Sequence, residues 1–216
     1  GPALMRSLAE PVPIAPEQFS ERMKKGDALI LDTRGYLAFS RAHIPGAWNI
    51  VLAGGTFSTQ AGWVLPPGRE ILLVVEDEGF ADEATLQLRR VGFDSITDFL
   101  DGGMRAWESR GLPTASVPLL TPGEADALIR SGDAVLIDVR EETEWQVGHA
   151  KRSLHIPWHD LRTRYSSLDP ARHTIVMCKG GPRGSIAASI LLMHGFLRVS
   201  NITGGYDAYR QAGFGT

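Results

Sequence analysis

A single cysteine, Cys178, stands in the stretch TIVMCKGGPRGS (174–185) of a 216-residue chain. It closes an apolar run, and Lys179, Gly180, Gly181, Pro182, Arg183, Gly184 and Ser185 follow it. A lone thiol is most often a small buried hydrophobe, but these neighbours point to chemistry. A strand that stops at Cys178, a glycine-rich turn and a helix beginning near Gly184 or Ser185 make a cradle for anions. Turn N–H groups can point inward, and the helix N-terminus adds about half a positive charge. Lys179 and Arg183 add cations to the same turn, while Gly180 and Gly181 permit positive φ and a close approach of substrate to backbone. Such a field favours thiolate over thiol, and the thiolate is the nucleophile. The expected chemistry is attack by Cys178 on an anionic substrate.

The elements that must position this turn are legible as alternating helix and strand signals. Thr121-Pro122-Gly123-Glu124 offers an N-cap, a proline at the first helical position and a glutamate three residues on. AVLIDV (134–139) and HTIVMC (173–178) are short apolar runs bounded by turn residues, as strands buried on both faces are. SIAASILLMHGF (185–196) predicts a helix ending at Gly195, and RVSNI (198–202) another strand. The alternation predicts an α/β fold with a mostly parallel central sheet and helices on both faces. Ligands of such sheets sit beyond the carboxyl ends of strands, where Cys178 lies.

The chain also repeats itself. APEQFSERMKKGDALILDTR (15–34) matches TPGEADALIRSGDAVLIDVR (121–140) at a constant offset: 122 − 16 and 138 − 32 both equal 106. ATLQLRRVGF (84–93) pairs with AASILLMHGF (187–196) at 103, and DGGMRAW (101–107) with TGGYDAY (203–209) at 102. Two homologous domains follow, at 11–112 and 119–216, with a linker at 113–118 in the Pro- and Gly-rich GLPTASVP stretch. The opening GPALM reads as a protease-cleavage or cloning scar, placing scar and linker at 1–10. At offset 103 Val75 falls opposite Cys178, Glu76 opposite Lys179 and Phe80 opposite Arg183, so the first copy is expected to be inactive.

Composition bounds the rest. A net charge of −3 implies no broad basic field, so nucleic acid is not an expected partner. One cysteine cannot form an internal disulfide, and no apolar run approaches the roughly 18 residues that span a bilayer, so a cytoplasmic protein without membrane partners is expected. Six scattered histidines and no second cysteine give little support for a metal site. Asp138 and Arg140 read as a strand-end ion pair bracing the loops of the site, with Asp32 and Arg34 doing the same in the first copy.

IDVREETEWQVGHAKRSLHIP (137–157), CKGGPRGS (178–185) and NITGGYDAY (201–209) together resemble the rhodanese family of sulfurtransferases, and the resemblance covers both halves. It implies two tandem rhodanese-like domains, and a Cys178 that carries sulfane sulfur as a persulfide. Four residues separate Cys178 from Arg183, the short loop of sulfurtransferases; related phosphatases and arsenate reductases use one residue more. The second copy departs from the family pattern at His149-Ala150-Lys151-Arg152-Ser153, which predicts a more basic pocket rim, and at Tyr209, where tryptophan is usual. An inactive copy before an active one is further similar to the C-terminal pair of persulfide dioxygenase–rhodanese fusions, which begin with a metallo-β-lactamase-type domain. That likeness implies sulfide or persulfide metabolism, with iron only in a domain outside these residues and no cofactor within them. The implied substrates are thiosulfate or glutathione persulfide as donors, and sulfite or thiols as acceptors. The alternative is a partner-fed sulfur carrier or interaction module that does not turn over small donors.

Overall fold

The computed structural model describes residues 8–26 and 28–215; the expected scar therefore lies largely outside the described residues. The chain divides into two compact units, one running to Ala38 and through Ala42–Ala115, the other made of Phe39–Arg41 and the chain from Ser116 onward. The first half carries β1 (Val12–Ile14), α1 (Pro16–Lys24), β2 (Ala28–Asp32), α2 (Tyr36–Arg41), β3 (Ala47–Asn49), α3 (Phe57–Val64), β4 (Glu70–Val74), α4 (Phe80–Arg89), β5 (Ile96–Leu100) and α5 (Gly103–Ser109). The second half carries β6 (Leu119–Leu120), α6 (Pro122–Ser131), β7 (Ala134–Asp138), α7 (Glu142–Val147), β8 (Ser153–His155), α8 (Leu161–Arg164) with a 3-10 turn at Tyr165–Ser167, β9 (His173–Met177), α9 (Pro182–Met193), β10 (Val199–Ile202) and α10 (Gly205–Gln211).

Each half builds one five-stranded sheet, ordered β1-β5-β4-β2-β3 and β6-β10-β9-β7-β8. Every strand pair is parallel, as the α/β reading requires. Registers repeat with the sequence. Ile30 faces Ala47 as Leu136 faces Ser153, and Asp32 faces Val74 as Asp138 faces Met177. The offset is thus 106 for the first pair (136 − 30) and 103 at the fourth strand (177 − 74), so the first copy holds three more residues between β3 and β4.

The apolar runs are buried because helices pack on the sheet, α6 against β7 and α9 against β9. Leu136, Ile175 and Met177 are fully buried and pack with Ala125, Ile129 and Ile202 in the core of the second unit. Removing a side chain such as Ile175 from such a core costs about 2–5 kcal/mol. Helix α6 opens as expected, with Thr121 Oγ1 accepting from the Glu124 N–H while the Glu124 carboxylate accepts from the Thr121 N–H at 2.8 Å. Tyr209 is buried at the position where tryptophan was expected, and its hydroxyl donates to Asp126 Oδ1 at 3.2 Å. In the first copy Trp107 Nε1 donates instead to the Pro113 carbonyl at 2.8 Å. Burial and the Asp126 charge push the Tyr209 hydroxyl up to about 12.

Candidate functional site

Cys178 follows β9 directly and is 1% exposed. Its Sγ accepts the Gly181 N–H at 3.0 Å, so the turn folds back over the sulfur. Gly181 reaches that position with φ +126°, open only to glycine at low cost. Gly180 is exposed, does not use positive φ, and faces open space where its side chain would be. Of the two glycines that permit positive φ, only Gly181 uses it.

The helix begins earlier than expected, at Pro182 rather than near Gly184. Proline supplies the φ of a first helical residue, and the Gly181 carbonyl accepts the Ser185 N–H at 3.0 Å. Arg183, Gly184 and Ser185 therefore lie in the first turn of α9. Gly184 and Ser185 are buried, and a Cβ on Gly184 would overlap the Asn201 side chain. Gly184 thus serves close packing against β10, where substrate contact was expected. Asn201, fully buried, donates from Nδ2 to the Gly181 carbonyl at 3.1 Å and pins the turn.

Arg183 was expected to face an anionic substrate. Its guanidinium instead makes a two-pronged pair with Glu144 of α7, at 2.5 and 2.8 Å. The Arg183 guanidinium holds the Glu144 carboxyl below the usual carboxylate range, with the Glu141 N–H helping. Glu144, joined by attraction to the Cys178 sulfur, raises Arg183. Lys179 is exposed and lines a cleft of about 340 Å³ together with Thr143, Glu144, Tyr206, Asp207 and Arg210.

Asp138 and Arg140 form the buried ion pair that the sequence predicted. Arg140 Nε and Nη2 reach the carboxylate at 2.9 and 2.6 Å, and Nη2 also donates to the Gly148 carbonyl at 2.8 Å. The guanidinium lies 3.7 Å above the centre of the Tyr206 ring. Asp32 and Arg34 repeat this geometry, with Nη2 at 2.6 Å from Asp32 and 2.8 Å from the Ala42 carbonyl. The pair thus ties each β-strand end to the loop that follows, and sets the wall of the second unit's cleft.

Four functional neighbours were missed: Glu144, Asn201, Gly205 and Tyr206. The Tyr206 N–H donates to the Cys178 carbonyl at 2.7 Å, and the Asp207 N–H to the Lys179 carbonyl at 3.2 Å. The turn and the start of α10 approach so closely that a Cβ on Gly205 would overlap both carbonyls. The Gly204-Gly205 pair, both at positive φ, was the available signal. Lys151 and Arg152, expected at the pocket rim, are exposed and do not line this cleft; Arg152 reaches the Arg130 carbonyl at 3.4 Å. His155 Nε2 donates to the Arg140 carbonyl at 2.9 Å and its ring stacks on Trp145, while His159 lies 3.2 Å from Glu141.

In the first copy the equivalent turn is Val75 to Gly79, with Glu76, Asp77 and Glu78 all exposed. Helix α4 begins at Phe80, whose ring is 44% exposed. The position matching Gly181 is Glu78 (181 − 103), which does not adopt positive φ, so the turn there has a different path.

Among the described residues no helix is long and apolar enough to cross a membrane. The thiosulfate sulfurtransferase GlpE of Pseudomonas savastanoi pv. phaseolicola is 32% identical over 91 residues, covering 42% of this chain and 85% of that protein. The tRNA uridine(34) hydroxylase of Pectobacterium carotovorum subsp. carotovorum is 33% identical over 100 residues, covering 43% of this chain and 28% of that protein. The chain thus spans under a third of the hydroxylase's length. A solved thiosulfate sulfurtransferase of Pseudomonas aeruginosa is 23% identical, with a TM-score of 0.42, covering 94% of this chain and 42% of its own. The rhodanese-like domain family matches residues 15–110 and again 121–212, one match for each parallel sheet. The chain belongs to the rhodanese-like domain family and carries that domain twice in tandem.

Proposed function

We propose that the protein is a sulfurtransferase whose second domain moves sulfane sulfur through a persulfide on Cys178. The observation that carries this reading is the Gly181 N–H aimed at the Cys178 sulfur within a turn held from behind by Asn201 and Tyr206. A fixed donor at that distance favours negative charge on sulfur, in the attacking thiolate and again in the persulfide. In the first step the Cys178 sulfur bonds to the outer sulfur of thiosulfate; the donor's sulfur–sulfur bond breaks and sulfite leaves with the electron pair. In the second step a thiol, sulfite or cyanide attacks the terminal sulfur and restores the Cys178 thiolate. No general base is needed once the thiolate is present.

The cleft beside the turn favours a donor larger than thiosulfate. Its volume is about 340 Å³, and Lys179 and Arg210 stand on its walls beside Glu144 and Asp207. Glutathione persulfide, an elongated donor carrying two carboxylates and an ammonium, suits that space and its mixture of charges. Such chemistry needs a reduced thiol, hence a reducing compartment such as the cytoplasm. We place the protein in persulfide metabolism, acting beside an iron-dependent persulfide dioxygenase domain in a longer polypeptide. The RNA chemistry in the hydroxylases' name has less support, because a net charge of −3 provides no broad basic field for a polyanion.

Steady-state kinetics test the reading. With cyanide as acceptor, both donors should give parallel double-reciprocal lines, the pattern of a substituted enzyme, and kcat/KM should favour glutathione persulfide. Intersecting lines would replace the Cys178 persulfide with direct transfer in a ternary complex, and folded protein with no turnover of either donor would leave the partner-fed carrier as the better account.

A further inference from the structure

The first copy has lost the cysteine turn, but the end of its sheet is not filled in. A cavity of about 350 Å³ opens there, lined by Thr33, Arg34, Gly35, Val51, Leu52, Ala53, Glu76, Phe80 and Glu83. Its size lies at the lower end of the range for small-molecule sites. It sits beyond the carboxyl ends of β2, β3 and β4, where open parallel sheets place their ligands.

The internal repeat explains why space exists. The Leu52 N–H donates to the Thr33 carbonyl at 3.0 Å as the Trp158 N–H donates to the Val139 carbonyl at 3.1 Å, so the backbones correspond at offset 106. At that offset Gly35, Leu52 and Ala53 replace Glu141, Trp158 and His159. In the second copy these three large side chains bond one another: Trp158 Nε1 donates to Glu141 at 2.9 Å, and His159 lies 3.2 Å from the same carboxylate. Trp158 is 3% exposed and fills that volume. In the first copy every one of the three is smaller, and the space is left open.

The walls define what fits. Val51, Leu52, Ala53 and the exposed Phe80 ring make an apolar floor and side. Arg34 is neutralised by Asp32 and held by the Ala42 carbonyl. Glu76 and Glu83 are exposed on the rim, and neither forms an ion pair with the described residues, although Glu83 accepts from Gln87 Nε2 at 3.0 Å. Glu76 stands where the second copy has Lys179, so the rim has reversed its sign. An anionic sulfur donor is repelled from such a mouth; a cation is drawn to it, and the Phe80 face adds attraction of its own.

We propose that this cavity is a binding site for a small organic cation, an amine carried on an apolar body. The apolar part occupies the space that Trp158 fills in the second copy, and the ammonium lies between Glu76 and Glu83. The site does not involve Cys178, so it stands or falls apart from sulfur transfer.

The test is an amide-resolved NMR titration of the full chain with phenethylamine, and with phenylpropionate as its anionic counterpart. Phenethylamine should give saturable shifts at Gly35, Leu52, Ala53 and Glu76, and should do so equally in Cys178→Ser. The Glu76→Gln, Glu83→Gln double variant should weaken it roughly three- to tenfold. Ala53→Trp, which refills the cavity from an exposed position, should abolish the shifts while spectra elsewhere stay unchanged. Phenylpropionate binding as well as the amine, shifts that survive Ala53→Trp, or no saturable shift would each overturn the proposal.

Discussion

At the scale of residues, the site is governed by which cations remain available once the fold has formed. Lys179 is exposed on the cleft, whereas Arg183 is engaged by Glu144 on two nitrogens. Glu144→Gln should release Arg183 and raise the positive potential at the turn, lowering KM for thiosulfate severalfold while Cys178 still loads with sulfur. Acid should do the same to the parent protein. Glu144 is depressed below its ordinary value of 4.5, so the pairing is fully present above pH 4.5 and is lost as pH falls through the folded value. The KM values of parent and variant should converge in that acid range; a constant gap down to it would show that the pairing does not govern donor binding. Cys178, its flanking cations and the Asp138–Arg140 pair were legible in sequence because each is a local pattern of two to eight residues. Glu144 was not, since its partner lies 39 positions away and only the fold brings α7 to α9.

At the scale of elements, the turn is shaped by two close approaches that only glycine allows. Gly181 carries φ +126°, and Gly205 lets the carbonyls of Cys178 and Lys179 meet the start of α10. Gly181→Ala should cost about 1–3 kcal/mol in urea unfolding and abolish sulfur loading, because the N–H at the sulfur cannot be kept. Full loading in a folded Gly181→Ala protein would remove that N–H from the mechanism. The start of α9 was less legible than that of α6. The sequence placed α9 near Gly184, whereas Pro182 begins it: Gly181 serves as N-cap without a capping side chain, and the proline at the first helical position was the signal available. Tyr209 offers a second check on packing. Its hydroxyl is raised to about 12 by burial and by Asp126, from an ordinary value of 10. The folded state therefore keeps a proton that the unfolded chain loses, and this stabilisation is full below pH 10 and disappears as pH rises to 12. Tyr209→Phe should flatten the loss of stability across that window relative to the parent; an identical alkaline decline in both would contradict the assignment.

At the scale of the whole molecule, one fold appears twice with opposite fates at the same strand ends. The two mostly parallel sheets were readable because the apolar strands repeat at offsets of 106 and 103, whereas strand order and register emerge only from the fold. The cavity in the first copy was not readable. It arises from three reductions in side-chain size at positions whose closeness depends on the β3 loop lying over β2. The first turn has lost more than its nucleophile: Glu78 stands at the Gly181 position without positive φ, and acids occupy the rim. Val75→Cys should therefore give a folded protein that takes no sulfur at the new thiol when Cys178 is replaced by serine. Loading there would mean that the turn path does not matter.

The central claim is that Cys178 carries transferable sulfur, and intact mass reads it directly. The purified, reduced protein is treated separately with thiosulfate and with glutathione persulfide, and Cys178→Ser is treated alongside. The account predicts a gain of one sulfur atom from at least one donor, removed by cyanide or sulfite and absent in the serine variant. A gain that persists in Cys178→Ser, or no gain from either donor with the thiol reduced and the protein folded, would contradict it.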